Sequence, residues 1–116
     1  MPLMSKGSLV QTIEMSGYKL EGPYKIEGDN RLPTSSGIYM VLTKTDDSRL
    51  RGIYIAEAGN VKKHVFENPN VECWKKNQLN GISIWIHSTV GESKEEREEA
   101  LFELREDRHY KMPCRD

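Results

Sequence analysis

The tightest constraint in this chain is a pair of β-prone runs separated by a polar turn. The first is Ile38-Tyr39-Met40-Val41-Leu42-Thr43 and the second Gly52-Ile53-Tyr54-Ile55-Ala56, with Asp46-Asp47-Ser48 between them. β-branched and aromatic residues suit a pleated, buried surface, and short polar side chains satisfy the backbone of a turn. The two runs are therefore expected to form a β-hairpin. Strand alternation puts Tyr39 with Val41, and Tyr54 with Ala56, so the two tyrosines are expected to share a face.

A third strand is expected over residues 82–90, where Ile82, Ile84 and Ile86 alternate with polar or aromatic residues after the Asn80-Gly81 break. Between hairpin and third strand, Asn60 is placed to cap a short helix bearing Val61, His64 and Val65, which Asn68-Pro69 stops. A second helical piece is expected around Cys73 to Leu79. Ser93 and Glu96 have the spacing of a capping box and open a helix from Lys94 to Asp107 or beyond, with Ala100, Leu101 and Leu104 as its apolar stripe.

These elements make an α+β domain over residues 33–116, a small three-stranded antiparallel sheet flanked by helices. Residues 1–32 form an N-terminal extension in which Gly22-Pro23 separates two strand-like pieces, around Tyr18 to Leu20 and Tyr24 to Ile26, as in a short hairpin. With 116 residues the chain has length for one core.

Composition narrows the function class. Charged residues make up 30% and hydrophobic ones 36%, so a modest core lies under a heavily solvated surface. The net charge of −1 argues against a dedicated nucleic-acid coat protein but leaves room for a local basic face at Lys62, Lys63 and His64, at Lys75 and Lys76, or at Arg105, Arg108, His109, Lys111 and Arg115. No stretch approaches the ~20 apolar residues of a membrane span, and residues 1–6 lack a signal-peptide pattern. A cytoplasmic location is the expectation. Cys73 and Cys114 lie far apart with no paired spacing, so they read as free thiols rather than a disulfide framework or a zinc cluster.

Gly37-Ile38-Tyr39 in the first arm and Tyr54-Ile55-Ala56 in the second, followed by helix, strand and helix, resemble the GIY-YIG nuclease family over about residues 33 to 116. The resemblance implies cleavage of DNA phosphodiesters with a divalent metal, Mg²⁺ or Mn²⁺, held by a glutamate. It assigns Tyr39 and Tyr54 as the motif tyrosines and puts His64 where the family places an arginine. Histidine is only partly charged at neutral pH and lacks the arginine fork, so phosphate stabilisation would weaken. Ala56 replaces the glycine that ends the second motif. Glu103 or Glu99 on the last helix is the expected metal ligand, with Glu103 counted among the catalytic residues; an ungapped match from Arg97 puts Leu101 at that position instead. Asp116 is the stand-in for a family asparagine after Pro113. Lys62, Lys63 and Lys75 would contact the substrate.

Such a nuclease needs a base for water, a cation for phosphate and a metal for the leaving oxygen. Tyr39 or Tyr54 is the candidate base, although a free phenol with pKa near ~10 is a poor one at neutral pH. The alternative is a catalytically inactive module of the same fold that binds nucleic acid or a protein partner through the old active-site face. His87, with no carboxylate at a telling spacing, reads as structural.

Overall fold

The computed structural model of the chain describes residues 10–26, 29–105 and 112–115. β1 (Gln11–Met15) turns into β2 (Tyr18–Tyr24) through Ser16 and Gly17, at φ of 53° and 85°. Two left-handed central residues make the turn whose twist matches that of paired strands. β3 (Gly37–Lys44) and β4 (Leu50–Ala58) form the expected hairpin, followed by α1 (Val61–Phe66), α2 (Val71–Lys76), β5 (Ile82–Ser88) and α3 (Lys94–Arg105).

The sheet has five strands in the order β1-β2-β5-β3-β4, and every neighbouring pair is antiparallel. This corrects the expectation of three. The extension adds two strands beside β5, and Tyr18 to Tyr24 is one strand rather than two pieces. Gly22-Pro23 was the misleading signal, since proline cannot donate to a ladder and normally breaks a central strand. Here the β2–β5 register shifts between Glu21 and Tyr24, a bulge that accommodates Pro23. Gly22 is required for the approach itself: a Cβ there would lie 2.7 Å from the Ile84 carbonyl oxygen and 2.8 Å from the Trp85 ring.

Alternation along β3 and β5 divides the core in two. Tyr39, Val41, Ile84 and Ile86 pack with Tyr54, Ala56, Val61, Val65 and Trp74 under α1 and α2. Ile38, Met40, Leu42 and Trp85 pack with Leu20, Ile55, Ala100 and Leu104 under α3 on the other side. β5 is central, so both of its faces are covered and Ile84, Trp85 and Ile86 are all buried.

Local chemistry sets the helix starts. The Asn60 side chain accepts from the Lys63 amide at 3.1 Å, as expected of the cap. Ser93 and Glu96 exchange the two bonds of a capping box, at 2.9 and 3.1 Å. The Ser93 amide, with its hydroxyl, holds the Glu96 carboxyl below its ordinary pKa. The end of that helix beyond Arg105, the basic residues Arg108, His109 and Lys111, and Asp116 lie outside the described residues. No helix among those described is long and apolar enough to cross a membrane.

The turn that follows β2 is held by Asp29 and Arg31. The Asp29 carboxylate accepts from the Lys25 and Arg31 amides and from Nε and Nη2 of Arg31, at 2.8 to 3.0 Å. Arg31 also lies over the Tyr24 ring, 5.2 Å from its centroid.

The cysteine expectation is overturned: Cys73 and Cys114 form a disulfide, their Cα atoms 6.0 Å apart. A separation of 41 residues carries no spacing signature. The fold brings them together by laying residues 112–115 against β4, where the Cys114 amide donates to the Ile53 carbonyl at 3.1 Å.

Candidate functional site

β3 and β4 pair Tyr39 with Ala56 and Val41 with Tyr54, which brings the two phenol rings to 6.0 Å between centroids on the α1–α2 face. α1 is fastened at its start, where the Val61 and Lys62 amides donate to the carbonyls of Ser35 and Pro33. This presents His64 to Tyr39, with the phenol oxygen 2.7 Å from Nδ1. Asn68, just beyond α1, donates Nδ2 to the Tyr39 hydroxyl at 2.8 Å and to the Tyr54 hydroxyl at 3.0 Å. Trp74 from α2 packs against both rings, 6.4 Å from Tyr39 and 5.3 Å from Tyr54.

The expected trio of Tyr39, Tyr54 and His64 is thus brought together. Asn68 donates to the Tyr39 hydroxyl, and the imidazole tautomer sets which of Tyr39 and His64 donates across their shared contact. Tyr39 and Tyr54 are 0% and 1% exposed, so neither phenol meets bulk water in this conformation. The buried hydroxyls are satisfied by neighbours, the arrangement that makes a polar group tolerable in a core.

Glu99 and Glu103 are not part of this cluster. They ride on α3, beyond the sheet from the tyrosines, because Ala100 and Leu104 of that helix seat on the face of Ile38, Met40 and Leu42. Glu99 is exposed, and Glu103 accepts a hydrogen bond from the Tyr18 hydroxyl of β2. That bond, then burial, then the charges of Glu103, Glu99 and Glu92, push the Tyr18 phenol up to about 12. Leu101 is partly buried against the α3-side core.

His87 has a carboxylate partner that its sequence neighbours did not announce. Its Nε2 lies 3.7 Å from Glu92, its Nδ1 lies 3.1 Å from the Lys19 carbonyl oxygen, and the Tyr18 ring meets it edge-on at 5.2 Å. This is a packing cluster at the margin of the α3 face.

The divalent metal implied by the family resemblance would need a matching donor set. The polar atoms that converge at the tyrosines are two phenols, an imidazole and an amide, whereas Mg²⁺ and Mn²⁺ take carboxylate and water oxygens. Among the described residues no group of three or more His, Cys, Asp or Glu side chains is disposed to hold a metal. The site does not fit the metal.

Of the expected substrate contacts, Lys63 and Lys75 are exposed and Lys62 is half-buried, on the helices that cover the tyrosines. Lys75 lines an open recess with Lys25, Ile26, Gln78 and Ile82, so a lysine of the N-terminal extension meets one from α2 there. Asn68 and Trp74 were missed as members of the cluster. The Asn68-Pro69 pair signals a helix stop in the sequence, and nothing local in it announces the contacts of Asn68 with both tyrosines. Compared with known proteins, the chain matches no family model, no curated protein and no solved structure.

Proposed function

We propose that this chain is a GIY-YIG-like module that binds the phosphodiester backbone of DNA through its α1–α2 face without cutting it. The observation that carries the reading is the separation of roles across the sheet. The tyrosines, His64 and the lysines of α1 and α2 lie on one side, and the glutamates needed for metal-dependent hydrolysis ride on α3 on the other. From residue 61 to 77 the chain carries Lys62, Lys63, Lys75 and Lys76 against Glu67 and Glu72, a local positive excess in a chain of net charge −1. Lys25 adds to it at the recess. Phosphate contacts by such lysines release counterions and need no sequence readout.

Hydrolysis is the second reading, and one observation favours it: the 2.7 Å contact of Tyr39 with His64 is the kind of link that activates a phenol. One experiment addresses both. Labelled duplex DNA is titrated with the full chain at several salt concentrations, and cleavage is followed in parallel with Mg²⁺, Mn²⁺ or EDTA. Binding should fall steeply with salt, with a log–log slope of roughly −2 to −4 for a few phosphate contacts. Lys63→Glu with Lys75→Glu should weaken it about tenfold or more. Absence of salt-dependent binding at low salt would sink the binding proposal. Cleavage that needs metal and disappears in Tyr39→Phe would replace it with the hydrolytic one.

A further inference from the structure

We propose that the Cys73–Cys114 disulfide is a redox latch that couples the thiol state of the protein to the order of α2 and the C-terminal segment, and through Trp74 to the tyrosine cluster. The bond joins two parts with few other attachments. α2 is six residues long, and Trp74 is its one fully buried side chain. Residues 112–115 lie against β4, an end strand of the sheet, through the Cys114 amide on the Ile53 carbonyl and through Met112 packed on Gly52. A helix this short does not hold itself in water, so its order comes from tertiary attachment. The disulfide is one of those attachments, and it sits next to Trp74 in sequence.

The surroundings of the sulfurs suit exchange in one direction. Cys73 is half-buried and Cys114 is 2% exposed, so an external thiolate meets the Cys73 sulfur first. Asn77 places Nδ2 3.6 Å from the Cys73 sulfur and 3.7 Å from the Cys114 sulfur, an N–H donor beside the thiolate that leaves. With a dithiol reductant, one of its thiolates attacks Cys73 Sγ, a mixed disulfide forms, and Cys114 departs as the thiolate. The second thiol of the reductant then attacks the mixed bond, closes its own disulfide and releases Cys73. Two electrons and two protons pass from the dithiol to the protein, leaving Cys73 and Cys114 as thiols.

Opening the bond removes the covalent tie between α2 and residues 112–115, leaving α2 attached through Trp74 on Tyr54 and residues 112–115 through the Ile53 contact and the side chains of Met112 and Cys114. Trp74 packs on Tyr54 and Tyr39, so looser α2 order reaches the cluster that Asn68 and His64 complete. This inference stands apart from the DNA reading, and its readout involves no DNA.

The test is amide hydrogen exchange on the full chain, oxidised and then with excess dithiothreitol, with thiols counted by alkylation under native conditions. Expected are two alkylated thiols and exchange about tenfold or more faster at the Cys114, Trp74 and Asn77 amides, with β3 and β5 unchanged and protection regained on reoxidation. Cys114→Ser should show the reduced pattern without reductant and no response to it. Equal exchange in both states overturns the latch, as does failure of the bond to reduce without denaturant. Acceleration of all amides together also overturns it, because the disulfide would then be a staple of the whole fold.

Discussion

Under α1 and α2 the sheet buries two phenols, an indole and an amide, and under α3 it buries Ile38, Met40, Leu42, Ala100 and Leu104 with the indole of Trp85. The same strands build both faces, so the difference lies in what each must satisfy. The α3 face asks mainly for volume, and its polar contacts, among them Tyr18 with Glu103, His87 with Glu92 and the Trp85 indole with Ser83, are only partly buried. The α1–α2 face must also give each buried hydroxyl a partner, and Asn68 does this for both tyrosines. Polar groups placed in a core at that cost specify geometry as well as stability.

The largest test of the contrast is truncation on each side. Trp74→Ala should cost about 3–5 kcal/mol and Leu104→Ala about 2–5 kcal/mol, read from urea unfolding with an unchanged m-value. A cost below about 1 kcal/mol for Trp74→Ala would mean that the α1–α2 face does not belong to the cooperative core.

Next comes the hydrogen bonding. Asn68→Leu keeps a similar volume but removes the donor from two buried phenols, and should cost about 1–3 kcal/mol. Tyr54→Phe should then cost less in this background than in the parent, because its bond from Asn68 is already gone. If Tyr54→Phe costs the same in both backgrounds, the Asn68 contact contributes nothing to holding that hydroxyl.

How much of this contrast is legible in the sequence follows from range. Alternation placed Tyr39 and Tyr54 on one face and Ile82, Ile84 and Ile86 on one face, and the Asn60 cap and Ser93–Glu96 box fell where spacing put them, because these are local effects. Three features are settled at long range. Pro23 in a strand is tolerable only because β5 meets a bulge there. The face that α3 covers, and so the position of Glu99 and Glu103, depends on how Ala100 and Leu104 dock. Cys73 finds Cys114 only once residues 112–115 lie along β4.

A smaller effect sits where the extension meets the α1–α2 face. The Arg31 guanidinium beside Asp29, with two backbone amides, holds the Asp29 carboxyl well below the ordinary carboxylate range. A depressed carboxyl stabilises the fold above its unfolded pKa of about 4, and the contribution fades as pH falls toward the folded value. Asp29→Asn should cost about 1–2 kcal/mol at pH 7, and the gap to the parent should narrow below about pH 4. A gap independent of pH from 7 to 3 would show that the charge on Asp29 is not what holds the turn after β2.

The smallest effect belongs to the margin of the α3 face, where the sign of the pH dependence is opposite. Tyr18 donates to Glu103 and its phenol is raised from 10.0 to about 12. A group whose folded pKa is raised contributes stability that is complete below its unfolded pKa, near 10, and is lost as pH rises through the folded value. Because both side chains are partly solvated, Tyr18→Phe should cost only about 0.5 kcal/mol at pH 8. The difference between Tyr18→Phe and the parent in urea midpoint should shrink between about pH 10 and 12. Loss at the acid end for Asp29 and at the alkaline end for Tyr18 would mark the two sides of the sheet by opposite titrations. A Tyr18→Phe difference that persists unchanged at pH 11 and above would show that the bond to Glu103 does not set the Tyr18 titration.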